Sequence, residues 1–161
     1  MGAGRNGLRP LKMKYRKRVQ IVSVKLVREA SVTYAARKIK APEDAAALIR
    51  DFIEEADREH FIAVYLNAKN EPTAIHTVSV GTLNSATVHP REVFKVAILA
   101  NAAAIILAHN HPSGDPTPSR DDFAVTERLI EAGHLMGIEV IDHVVVGSEG
   151  RYTSLKEKGM I

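Results

Sequence analysis

Ala102-Ala103-Ala104-Ile105-Ile106-Leu107-Ala108-His109-Asn110-His111-Pro112-Ser113-Gly114-Asp115-Pro116-Thr117-Pro118-Ser119-Arg120-Asp121-Asp122 is the stretch from which the fold follows. Its apolar start, Ala102 to Ala108, has the length and continuity of a strand covered on both faces. Pro112, Pro116 and Pro118 then stiffen a loop that Gly114 lets turn back. Ser119, with Asp122 three residues later, reads as the start of a helix. Side chains alternate along a strand, so His109 and His111 project together from the end of the run while Asn110 faces away. In sheets flanked by helices, such strand ends are where ligands bind.

Downstream, Val125, Leu129, Ala132 and Met136 keep helical spacing until Gly137 ends the helix, Val140 to Val146 reads as a last core strand, and Tyr152 to Leu155 as a short end piece. Upstream, His89 and Pro90 open a helix with Glu92 in its first turn, carrying Val93, Phe94, Ala97 and Ile98. Before it, Phe61 to Leu66 and Thr73 to Val80 flank the turn Asn67 to Asn70 and predict a central hairpin. Pro42 opens another helix, with Ala45, Leu48, Ile49, Phe52, Ile53 and Ala56 on one apolar face. Val19 to Arg28 alternates, with Val22, Val24 and Leu26 on one side, and predicts a first strand at a sheet edge. The sum is an α/β fold: a single three-layer domain over residues 19–161, its mixed β-sheet flanked by helices, behind a basic flexible leader over residues 1–18.

With 161 residues, 45% hydrophobic and 25% charged, the chain has the composition of one globular domain. No apolar run approaches the roughly 18 residues needed to cross a bilayer, and Lys25 interrupts the first apolar stretch, which argues against a signal peptide and for a cytoplasmic protein without membrane partners. Zero cysteines exclude disulfide frameworks, thiol nucleophiles and Cys-ligated zinc, so any metal rests on His and carboxylate. The net charge of +3 divides into +7 on residues 1–18 and −4 on the remainder. Such a tail is a solvated leader or an arm for nucleic acid.

Two histidines and one carboxylate from a single constrained segment make the ligand set of a catalytic zinc site with one position left for water. Each piece has a plainer explanation, since Ser119 and Asp122 also form a helix cap. Convergence at one strand end is what favours the metal. Glu59, in Asp57-Arg58-Glu59, and Glu92 compete as the nearby base; His89 and His143 read as structural, and Asp115 as the acceptor of its own turn.

The spacing His109-x-His111, seven residues, Ser119, two residues, Asp122 matches the signature of the JAMM (JAB/MPN+) metalloproteases. The run His109 to Arg120, with Val88-His89-Pro90-Arg91-Glu92-Val93 before it, resembles the RadC family built on that domain, over roughly residues 42–161. The resemblance implies a JAB/MPN, cytidine-deaminase-like fold, Zn²⁺ held by His109, His111 and Asp122, Ser119 beside the developing oxyanion, and Glu59 as general base. It implies hydrolysis of a peptide or isopeptide bond in a peptide or protein substrate. The rival reading is a DNA-repair-associated, nucleic-acid-binding protein whose metal site is structural or vestigial, its contacts made by the basic tail. Longer RadC proteins carry an N-terminal helix-hairpin-helix region with no counterpart here. A zinc deaminase would need cysteine ligands, and a two-metal nuclease would need more carboxylates.

Overall fold

Seven consecutive residues of strand β3, Ala104–Asn110, are buried, and the other elements are laid around them. The computed structural model describes residues 18–53, 56–84 and 86–161. In chain order these form helix α1 (Pro42–Ile53), strands β1 (His60–Leu66) and β2 (Pro72–Val80), helix α2 (Pro90–Leu99), β3, helix α3 (Arg120–Met136) and strands β4 (Glu139–Val146) and β5 (Tyr152–Ser154). The sheet order is β2-β1-β3-β4-β5. β3 runs antiparallel to β1 and parallel to β4, which makes the sheet mixed, as its alternating elements predict.

The period of two along β1 and β3 decides which helix lies on which face. Ile62, Val64 and Leu66, with Ala104, Ile106 and Ala108, meet Ala45, Leu48, Ile49 and Ile53 of α1. Phe61, Ala63 and Tyr65, with Ile105 and Leu107, meet Val93, Phe94 and Ala97 of α2 and Val125 and Leu129 of α3. Full burial of each large apolar side chain contributes about 1.5–3 kcal/mol, so both faces need a cover and the domain has three layers.

Three expectations need correction. Val19–Arg28 forms no strand: its alternation supplies an apolar face, but among the described residues nothing covers it, and Val19 and Ile21 are fully exposed. The hairpin is not central, because β2 is the sheet edge and β1 gives its other side to β3. Phe52, placed on the apolar face of α1 by spacing, is exposed. The basic leader lies, but for Arg18, outside the described residues. Among those described, no helix is long and apolar enough to cross a membrane.

Candidate metal centre

β3 carries His109 into the layer between the sheet and α2/α3, fully buried and stacked on Phe61, its antiparallel partner, at 6.3 Å. His111 lies just past the strand end and is held there by its N–H, which donates to the Val146 carbonyl at 3.0 Å. As the alternation predicts, the two rings stand side by side, with centroids 4.8 Å apart.

The loop that follows is anchored to the turn after β4. The Gly114 carbonyl accepts from the Ser148 N–H and from Arg151 Nη2, both at 3.0 Å. Gly114 has φ 85°, where side chains are rarely tolerated, and a Cβ on Gly147 would collide with the Gly114 carbonyl. Asp115 closes its own turn by accepting from the Thr117 N–H at 3.0 Å and hydroxyl at 2.7 Å. Its backbone carbonyl lies 2.7 Å from His111 Nδ1.

α3 then opens on a complete capping box: Ser119 Oγ accepts from the Asp122 N–H at 3.2 Å, and Asp122 Oδ2 accepts from the Ser119 N–H at 2.6 Å. The cap and the site do not compete. The box leaves Asp122 facing the histidines, Oδ1 at 3.2 Å from His109 Nε2 and Oδ2 at 3.5 Å from His111 Nε2.

Glu59 enters from the start of β1, with Oε1 3.9 Å from His109 Nε2. Its backbone is fixed on both sides by Asn110. Asn110 Nδ2 donates to the Arg58 carbonyl at 2.8 Å, and Asn110 Oδ1 accepts from the His60 N–H at 2.7 Å. Facing away from the histidines thus gives Asn110 its use. Glu92, the rival base, pairs with Lys95 at 2.8 Å on α2 and is not in the cluster.

One ligand atom from each of Glu59, His109, His111 and Asp122 lies within 4.8 Å of the others. The donor set suits a cation. The Asp115 carbonyl can only accept, so His111 Nδ1 carries the ring proton and Nε2 of the neutral ring is a bare lone pair. His109 Nε2 lies 3.0 Å from it. In a tetrahedral zinc shell with ligands at about 2.0–2.1 Å, any two ligands are about 3.3 Å apart. The His–His, His109–Asp122 and His111–Asp122 separations of 3.0, 3.2 and 3.5 Å fit such edges. Glu59, at 3.9 Å from His109, stands just beyond them.

Electrostatics without an ion point the same way. Burial alone would raise the Asp122 pKa, but the adjacent His109 and His111 rings, which donate to the carboxylate only when protonated, outweigh it and hold the carboxyl far below its usual range. Protonation of His111 would let Nε2 donate to Asp122, which raises the His111 pKa against the opposing effect of burial. His143, fully buried behind His109, is pushed well below its ordinary value by desolvation and then by His109. A cavity of about 370 Å³ opens beside His111, walled by Arg50 and Ile53 of α1, Asn110, Pro112 and Gly147.

Sequence reasoning identified all four cluster residues but passed over Thr126 and treated His143 as ordinary core. Spacing held one signal: Thr126 is one helical turn beyond Asp122 and so shares its face.

A family model described as a RadC-like JAB domain matches residues 39–160. The chain is 57% identical over 123 residues to a UPF0758 protein of Desulforamulus reducens, covering 76% of this chain and 54% of that protein. It is 56% identical over 134 residues to one of Moorella thermoacetica, covering 83% and 58%, and 49% identical over 133 residues to one of Methanosarcina acetivorans, again covering 83% and 58%. The chain thus spans a little over half the length of these curated relatives.

Proposed function

The chain belongs to the family of RadC-like JAB domains, and on that premise we propose that it is a zinc-dependent hydrolase of peptide or isopeptide bonds, with His109, His111 and Asp122 as ligands. The observation that carries the reading is the spacing of those three donors at tetrahedral edges with a carboxylate just outside them. Bound there, zinc would bring the pKa of a water toward neutrality and polarise the scissile carbonyl.

The remaining work belongs to the chain's own residues. Glu59 takes the proton of the attacking water and returns it to the leaving amine, a contribution of about 10²–10⁴-fold for a well-placed general base. Asn110 keeps Glu59 in reach by fixing the backbone on either side of it. Ser119 accepts from the Asp122 N–H, which leaves its own O–H to donate to the oxyanion. One such donor is worth about 2.7–4 kcal/mol.

Metal analysis of the purified chain together with a peptide and isopeptide library read by mass spectrometry tests the proposal. One zinc per chain is expected, lost in His109→Ala and Asp122→Ala, with Glu59→Gln retaining zinc and losing cleavage. Metal content indifferent to the ligand changes, or cleavage indifferent to Glu59→Gln, overturns it.

A further inference from the structure

We infer that Thr126 and His143 form a buried relay that fixes the ring proton of His109 on Nδ1 and so keeps its Nε2 bare toward the centre. The inference rests on the metal reading only for its purpose; the relay itself follows from hydrogen-bond valence. Thr126 Oγ1 lies 2.6 Å from the Asp122 carbonyl oxygen. A carbonyl only accepts, so the single hydroxyl proton goes there. The same Oγ1 is 2.5 Å from His143 Nδ1. With its proton spent, the hydroxyl must accept, and His143 Nδ1 therefore carries the hydrogen.

His143 is fully buried, and its two ring nitrogens meet His109 and Thr126, with no carboxylate on either among the described residues. Such an imidazole is neutral and has one N–H, already placed, so its Nε2 is an acceptor. That Nε2 lies 2.8 Å from His109 Nδ1, which must donate. His109 Nε2 is left as a lone pair facing Glu59, His111 and Asp122.

The direction of every proton in this chain is thus set by a backbone carbonyl at its far end. The carbonyl belongs to Asp122, so one hydroxyl couples the helical turn bearing one ligand to the ring orientation of another. Thr126 and His143 touch neither substrate nor metal and are positioning residues. His111 reaches the same arrangement by a shorter route, through the Asp115 carbonyl.

Thr126→Val keeps the side-chain shape and removes the hydroxyl; Thr126→Ser restores it. Nitrogen-15 NMR of the ring nitrogens in the metal-free full chain should show His109 and His143 as Nδ1–H forms in the wild type and in Thr126→Ser. In Thr126→Val, His143 should shift toward Nε2–H. Zinc affinity, read by competition with a chromophoric chelator, should fall about 10–100-fold in Thr126→Val and recover to within about threefold in Thr126→Ser, the range usual for partners behind a ligand. A wild-type His143 protonated on Nε2, or wild-type zinc affinity in Thr126→Val, overturns the relay. A wild-type chain that takes up no zinc overturns the metal reading instead, whatever the ring protons show.

Discussion

Replacing Asn110 by alanine should separate chemistry from metal binding. The change removes two hydrogen bonds, one to the Arg58 carbonyl and one from the His60 N–H, at 2.8 and 2.7 Å. Each contributes about 0.5–1.5 kcal/mol net, and because Arg58 is exposed its carbonyl can turn to water, which places the total near 1–2 kcal/mol. For a chain of this size that is a melting-temperature loss of roughly 2–8 °C. His109, His111 and Asp122 make no hydrogen bond with the Asn110 side chain, so zinc affinity should stay within about threefold of the wild type. Glu59, left with only the Gly81 N–H on its carbonyl at 2.8 Å once both Asn110 bonds are gone, should drift from its 3.9 Å approach, and turnover should fall at least tenfold toward the level of Glu59→Gln. Chemical denaturation, chelator competition and cleavage of a substrate found by the library screen measure the three quantities. Zinc lost along with turnover, or turnover unchanged despite the destabilisation, would refute the reasoning.

In the metal-free chain the two perturbed histidines should give a stability maximum near pH 6.5. His111, raised in the fold, contributes stability that is present below about 6.5 and lost as pH rises through its higher folded value, whereas His143, depressed by burial, makes stability fall as pH drops below about 6.5. Denaturation between pH 5.5 and 8 should show slopes no steeper than about 1.4 kcal/mol per pH unit for each group, and a monotonic profile would contradict the assignment. Gly147→Ala places a Cβ against the Gly114 carbonyl and should cost about 1–3 kcal/mol while weakening zinc uptake through the displaced loop; thermal melts with and without zinc read both effects. Deleting residues 1–18 should leave zinc uptake and cleavage unchanged, while loss of a salt-sensitive DNA affinity in the same variant would favour the nucleic-acid reading.

What could be read from the sequence was whatever a short window holds. The buried run before His109, the alternation that pairs it with His111 and the cap that turns Asp122 inward all lie within 21 residues, and spacing alone orders them. Helix faces were legible wherever a neighbour existed to cover them. Val19–Arg28 misled because periodicity reports a face and not its partner. The hairpin was found but misplaced, since which side of β1 receives β3 is decided by a pairing 48 residues apart, Phe61 with His109. Thr126, His143 and the use of Asn110 stayed hidden for the same reason: each acts by a hydrogen bond to another element, from 17 to 52 residues away, and a threonine within a helix announces nothing.

The distribution of the cluster along the chain bears on when the protein could begin to act. His109, His111 and Asp122 close a span of 13 positions, whereas Glu59 lies 50 positions before the first of them. Bringing the ends of the longer span together costs about 1.2 kcal/mol more in chain entropy, and it also requires the pairing of β1 with β3. During synthesis or refolding, the ligand trio can therefore gather while its base is still elsewhere. On the proposed reading, a nascent chain would hold an ion inert, and hydrolytic power would arrive only once β1 has paired with β3.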